Sequence, residues 1–127
     1  MPFKSLKTLT LAVVAAGSLV ACTSTPNVSA ELATQQANYN KGEAVILSLI
    51  GKGACLNCFN IYRNMDGEKA FAISDSGIFG YTNSKSTARE ARQGALDSCK
   101  ARNTANESSQ PCRLLMDGDR YVWRGRV

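Results

Sequence analysis

The order strand, strand, helix, strand, strand between residues 70 and 123 constrains this chain more than any other feature of its sequence. Ala70-Phe71-Ala72-Ile73 reads as a strand, Ser74-Asp75-Ser76-Gly77 as a turn with Gly77 free to take a positive φ, and Ile78-Phe79-Gly80-Tyr81 as the returning strand. Residues 82–85 form a polar connector. Thr87 followed by Glu90 is a capping-box signature, and Ala88, Ala91, Ala95 and Cys99 fall on one face of the helix it opens, with Leu96 beside them. Arg89, Arg92, Gln93, Asp97 and Lys100 face away. Side chains as small as these let a helix lie close against a sheet. After a polar loop over residues 101–111, Cys112 opens a third strand through Arg113-Leu114-Leu115-Met116, Asp117-Gly118-Asp119 is a hairpin turn, and Arg120-Tyr121-Val122-Trp123 is the fourth strand. Two hairpins around one helix make an α+β fold, a small antiparallel sheet with an Ala-rich helix packed on it.

The upstream half is less patterned. Residues 44–50, Ala-Val-Ile-Leu-Ser-Leu-Ile, suit a buried strand by length and β-branching, with a short buried helix as the alternative. Residues 29–38 suit a short helix, with Ser29 as its cap and Glu31 in its first turn, which the Asn38-Tyr39-Asn40-Lys41-Gly42 cluster ends. A possible further helix begins near Phe59, and Met65-Asp66-Gly67-Glu68 reads as a turn.

The chain opens with Lys4 and Lys7, an apolar stretch over residues 9–20, and then Leu19-Val20-Ala21-Cys22. The apolar stretch falls short of the roughly 20 residues a membrane-spanning helix needs. This leader resembles a bacterial lipoprotein signal with its lipobox. The resemblance implies cleavage before Cys22, a diacylglyceryl thioether on its sulfur and an acyl group on its new amine. Several acyl chains anchor far more firmly than one. Thr23 in place of an aspartate implies sorting to the outer membrane. The expected organisation is a signal peptide over residues 1–21, a tether or short helix over 22–40, and one small α+β domain over 41–127.

About 106 residues remain after such cleavage, one small domain. Loss of Lys4 and Lys7 lowers the formal charge from +5 to +3, too mild to demand nucleic acid. With no histidine in the chain, His-based triads, His-ligated zinc and CxxCH haem attachment are excluded. Of five cysteines, Cys22 is assigned to lipid, which leaves Cys55, Cys58, Cys99 and Cys112, an even number suited to an oxidising compartment.

A second resemblance runs from Lys69 to Trp123. Lys69-Ala70-Phe71-Ala72, Gly77, Phe79-Gly80-Tyr81, Ala88, Ala91, Ala95-Leu96, Cys99, Cys112-Arg113-Leu114 and Val122-Trp123, in this order and spacing, resemble a family of small secreted bacterial domains of unknown function. The resemblance implies the fold above and a Cys99–Cys112 disulfide stapling helix to sheet. It carries over no catalytic residue and does not reach Cys55 or Cys58.

Cys55-x-x-Cys58, ahead of a possible helix, allows three readings: a structural disulfide (with each other or with a distant cysteine), a redox pair whose first thiol sits at a helix N-terminus, or part of a metal site that would need Cys99 and Cys112 as well. The first is preferred. Neither tryptophan nor proline flanks the pair, and no βαβ repeat follows it. Asp117 and Asp119 fall far short of the six to eight oxygens calcium takes and read as turn chemistry. Arg113, Arg120, Arg124 and Arg126 read as solvated charge, with a glycan or lipid-headgroup patch as the alternative, and Phe71, Phe79, Tyr81, Tyr121 and Trp123 as core and cross-strand pairs. The function expected is a non-catalytic, lipid-anchored envelope protein, without metal or cofactor, that binds another envelope protein. A thiol–disulfide oxidoreductase using Cys55 and Cys58 and a glycan- or enzyme-binding surface lipoprotein are the alternatives.

Overall fold

In a computed structural model, residues 25–106 and 110–125 are described. The expected lipobox with Cys22, the expected leader and Arg126 lie outside them. The chain forms two compact units, Met1–Thr34 and Gln35–Val127. The described part of the first is the opening of helix α1 (Thr25–Leu49), where Val28 and Leu32 are exposed and the Thr34 hydroxyl donates to Ala30 O.

The second unit continues with the remainder of α1, a 3₁₀ turn at Ile50–Lys52, α2 (Leu56–Arg63), β1 (Glu68–Ser74), β2 (Phe79–Lys85), α3 (Ala88–Ala105), β3 (Cys112–Asp117) and β4 (Arg120–Tyr121). The four strands form one antiparallel sheet in the order β2-β1-β3-β4. The expected α+β architecture is therefore present, with two further helices on the second face of the sheet.

Strand β1 is central and every residue after Glu68 is buried. Its alternation sorts the core into two layers. Ala70 and Ala72 face α3, where they meet Ala91, Ala95 and Cys99. Phe71 and Ile73 face the other way, into a larger layer with Tyr39, Val45, Ile46 and Leu49 of α1, Phe59 and Tyr62 of α2, and Leu115, Met116 and Trp123. A register shift between β1 and β3 at Phe71/Ala72 pairs Phe71 with Met116 and Ala72 with Leu114. The bulge lets the consecutive residues Leu115 and Met116 both enter the larger layer, which strict alternation would forbid.

The small-residue helix lies as close to the sheet as its composition allows. A Cβ at Gly80 on β2 would overlap the backbone nitrogen of Cys99. Thr87 caps the helix as the signature predicts, its Oγ1 accepting from Glu90 N at 3.1 Å, a bond worth about 1 kcal/mol. Helix α3 continues to Ala105, past the expected start of the loop at residue 101. Asn103 is buried in that extra turn and donates to Gln110 O and Cys112 Sγ.

Four further expectations are corrected, two of them in the upstream half. The cluster from Asn38 to Gly42 lies inside α1 and does not end it. Gly42 is there for proximity, since a Cβ would stand 2.6 Å from Phe59 Cζ and 3.1 Å from Met116 Sδ. Residues 44–50 are not a strand; all but Ile50, which opens the 3₁₀ turn, form the end of α1. Val45, Ile46 and Leu49 are buried, while Leu47 is 50% exposed. Helical periodicity thus divides a run that reads as uniformly apolar. Residues 82–85 are not a connector but the end of β2, pairing Thr82 with Ala70 and Lys85 with Glu68. The final strand is shorter than expected, although Val122 N still donates to Leu115 O and Trp123 is buried.

Candidate functional site

The four cysteines of the domain form two disulfides, Cys55–Cys58 and Cys99–Cys112. The second joins α3 to the first residue of β3 and buries Cys99 completely. The first spans the start of α2. Cys55 is the N-cap, with an extended backbone, and its Sγ accepts from Cys58 N at 3.0 Å. Both members of this pair are half-buried. Of the readings open for Cys55-x-x-Cys58, the cysteines pair with each other, and among the described residues no group of His, Cys, Asp or Glu is arranged to hold a metal ion.

The opposite end of α2 forms a polar cleft. Helices expose their last carbonyls, which carry the negative end of the helix dipole. Here Lys69 answers them. It precedes Phe71 and Ile73 by period two, so its side chain enters the same layer, and that side chain is 6% exposed. Its Nζ donates to Tyr62 O at 3.1 Å, Arg63 O at 3.0 Å and Met65 O at 2.8 Å. The ammonium also lies 3.5 Å from Asp119 Oδ1, 4.9 Å from the centre of the Tyr62 ring and 5.6 Å from that of Tyr39. Its three protons go to the last two carbonyls of α2 and to Met65 O in the turn just beyond it.

The turn between β3 and β4 is tied to the same point. Tyr39 Oη donates to Asp119 Oδ1, Tyr62 Oη donates to Gly118 O at 2.6 Å, and Gly118 N donates to Lys69 O at 2.8 Å. Burial, followed by the bond to Asp119, pushes the Tyr39 phenol far above its ordinary value; burial above all does the same for Tyr62, with Tyr39, Asp119 and Asp117 adding to it. Both therefore remain neutral donors at physiological pH. The cleft above these groups has a volume of about 370 Å³, and its outer lining is Gln35, Gln36, Arg63, Asn64 and Asp66. Arg63 packs its guanidinium 5.1 Å from the centre of the Tyr39 ring and donates to Gln36 Oε1. The outer rim thus presents amides, one cation and one carboxylate over a buried, internally neutralised base.

Asp117 and Asp119 do more than make a turn. Asp117 accepts from Arg92 at 3.2 Å, which ties the hairpin to α3, and pairs with Arg120 at 3.0 Å. Arg113 pairs with Asp75 at 3.4 Å. Two of the late arginines are therefore matched by acids and do not form one open basic face. Lys69 and Tyr39 went unassigned in the sequence. The signal for Lys69 is its phase with Phe71 and Ile73, which places a lysine on an inward face. Tyr39 has no such local signal, because its burial depends on α1 continuing through residues that read as a break.

Searches against protein-family models, curated proteins and solved structures find no match to this chain.

Proposed function

We propose that the chain is a lipid-anchored protein of the bacterial outer membrane that binds another envelope protein, a non-catalytic contact in which its disulfide-stapled α+β domain is held against the partner. The observation that carries this reading is the cysteine pairing. Cys55–Cys58 and Cys99–Cys112 take four of the five cysteines, and the one left over is Cys22 of the lipobox. Two closed disulfides suit an oxidising compartment beyond the cytoplasm, where such an anchor is added. Only Thr23 and Ser24 separate Cys22 from α1.

The polar cleft at the end of α2 is the face assigned to the partner. Its base is committed to the fold: the Lys69 ammonium donates to three carbonyls, and burial holds the Tyr39 and Tyr62 phenols protonated. Its rim offers hydrogen-bonding groups of both signs, as partner surfaces do. A photo-crosslinking residue at Asn64, expressed in intact cells, tests this. The expected result is one discrete envelope adduct that disappears when Cys22→Ala prevents anchoring. Equal adducts from Asn64 and from a site on the far face of α3, such as Gln93, would count against a partner at the cleft.

A further inference from the structure

We infer that the Cys55–Cys58 disulfide is a redox-exchange site that accepts two electrons from the dithiol of a client protein, an activity separate from the partner binding proposed above. The two disulfides of the domain are built for different ends. Cys99–Cys112 closes a separation of 13 residues between a helix and a strand, with Cys99 buried beneath Ile78 O, so opening it frees two elements from each other. Cys55–Cys58 closes a separation of three, and both its cysteines are half-buried. Opening it frees no element, because α2 is held by the buried Phe59 and Tyr62 and, at its far end, by Lys69.

The local chemistry favours one sulfur as a leaving group. Cys55 Sγ already accepts the Cys58 amide at 3.0 Å, at the positive end of an eight-residue helix. Both features stabilise a thiolate on Cys55 once the bond opens, and the more stable thiolate leaves faster. Apolar ground for a client chain lies on both sides in sequence. Ile50 is 44% exposed just ahead of the loop that leads to Cys55, and Ile61, 47% exposed, is one helical turn beyond Cys58.

In the exchange a client thiolate attacks Cys58 Sγ. The new bond joins client sulfur to Cys58, the Cys55–Cys58 bond breaks, and its electron pair leaves on Cys55, which takes up a proton. The client's second thiolate then attacks the client's first sulfur and releases Cys58, which is protonated in turn. The client dithiol loses two electrons and two protons and becomes a disulfide, while Cys55 and Cys58 gain both and become thiols.

The test mixes the oxidised full chain with a reduced peptide bearing two thiols, then alkylates the thiols at intervals and locates them by mass spectrometry. Expected is labelling of Cys55 and Cys58 at least about tenfold faster than of Cys99 and Cys112, with one peptide disulfide formed per pair opened and the circular dichroism unchanged. The Cys55→Ser, Cys58→Ser double variant should leave the peptide reduced. The inference is overturned if Cys55–Cys58 stays closed under conditions in which glutathione disulfide oxidises the same peptide, or if the two disulfides open together. The wild-type comparison decides the matter even if the double variant fails to fold.

Discussion

Replacing Lys69 by methionine tests the packing at the end of α2 most sharply. Methionine keeps an unbranched stem between Tyr39 and Tyr62 but removes the ammonium from three carbonyls. Hydrogen bonds to a charged donor contribute roughly 1.5–3 kcal/mol each in net terms, and an unsatisfied buried acceptor costs about 1–3 kcal/mol. Against this stands the desolvation of the ammonium, which the variant no longer suffers. The ion pair to Asp119 adds little, because that carboxylate is 42% exposed and solvent screens it. The balance is a loss of about 3 kcal/mol, which for a domain of this size lowers the melting temperature by roughly 12–24 °C. Urea unfolding followed by circular dichroism reads it directly. Asp119→Asn keeps an acceptor for Tyr39 and should cost under about 1 kcal/mol. A Lys69→Met variant within about 0.5 kcal/mol of wild type, or an Asp119→Asn variant costlier than it, would refute the helix-ending role of Lys69.

Three further outcomes follow from the same packing. Removing Cys99–Cys112 by double serine substitution should cost about 3 kcal/mol, and removing Cys55–Cys58 about 1 kcal/mol less, because its ring is so much smaller; thermal unfolding of the two double variants compares them. Gly80→Ala should cost about 1–3 kcal/mol, since a Cβ there meets the backbone of α3, and a neutral result in urea would contradict that contact. The Tyr62 phenol, raised mainly by burial, stays protonated in the fold while an unfolded tyrosine ionises near pH 10. Its stabilising effect is complete below that pH and is lost as pH rises beyond it, by up to about 1.4 kcal/mol per pH unit. Tyr62→Phe should flatten the fall in urea midpoint between pH 9 and 11.

What the sequence revealed divides along physical lines. The hairpins and α3 were legible because their signals are local: alternation around Phe71 and Ile73, a turn at residues 74–77, and a capping residue at Thr87 whose bond needs only Glu90. The second helical layer was not, because what makes it helical is distant. Asn38, Asn40 and Gly42 weaken a helix in isolation, and α1 runs through them because Tyr39 reaches Asp119 and Gly42 admits Phe59. The polar end of β2 is a strand because β1 offers it partners as far as Glu68. For the site, an even set of four pairable cysteines was legible in the count, while Cys99–Cys112 was implied by the resemblance and the pairing of Cys55 with Cys58 is fixed only by the fold. The cleft was not, because Lys69, Tyr39 and Asp119 meet only after α1, β1 and the last hairpin have folded together.

The measurement that bears most directly on the proposed function is the mass of the amino-terminal peptide of the chain recovered from the membranes of a bacterial host. A lipid-anchored protein has a first residue of Cys22, carrying the added mass of a diacylglyceryl group on sulfur and an acyl chain on nitrogen. A peptide that begins elsewhere, or an unmodified Cys22, would contradict the anchor and with it the placement of this domain at the membrane.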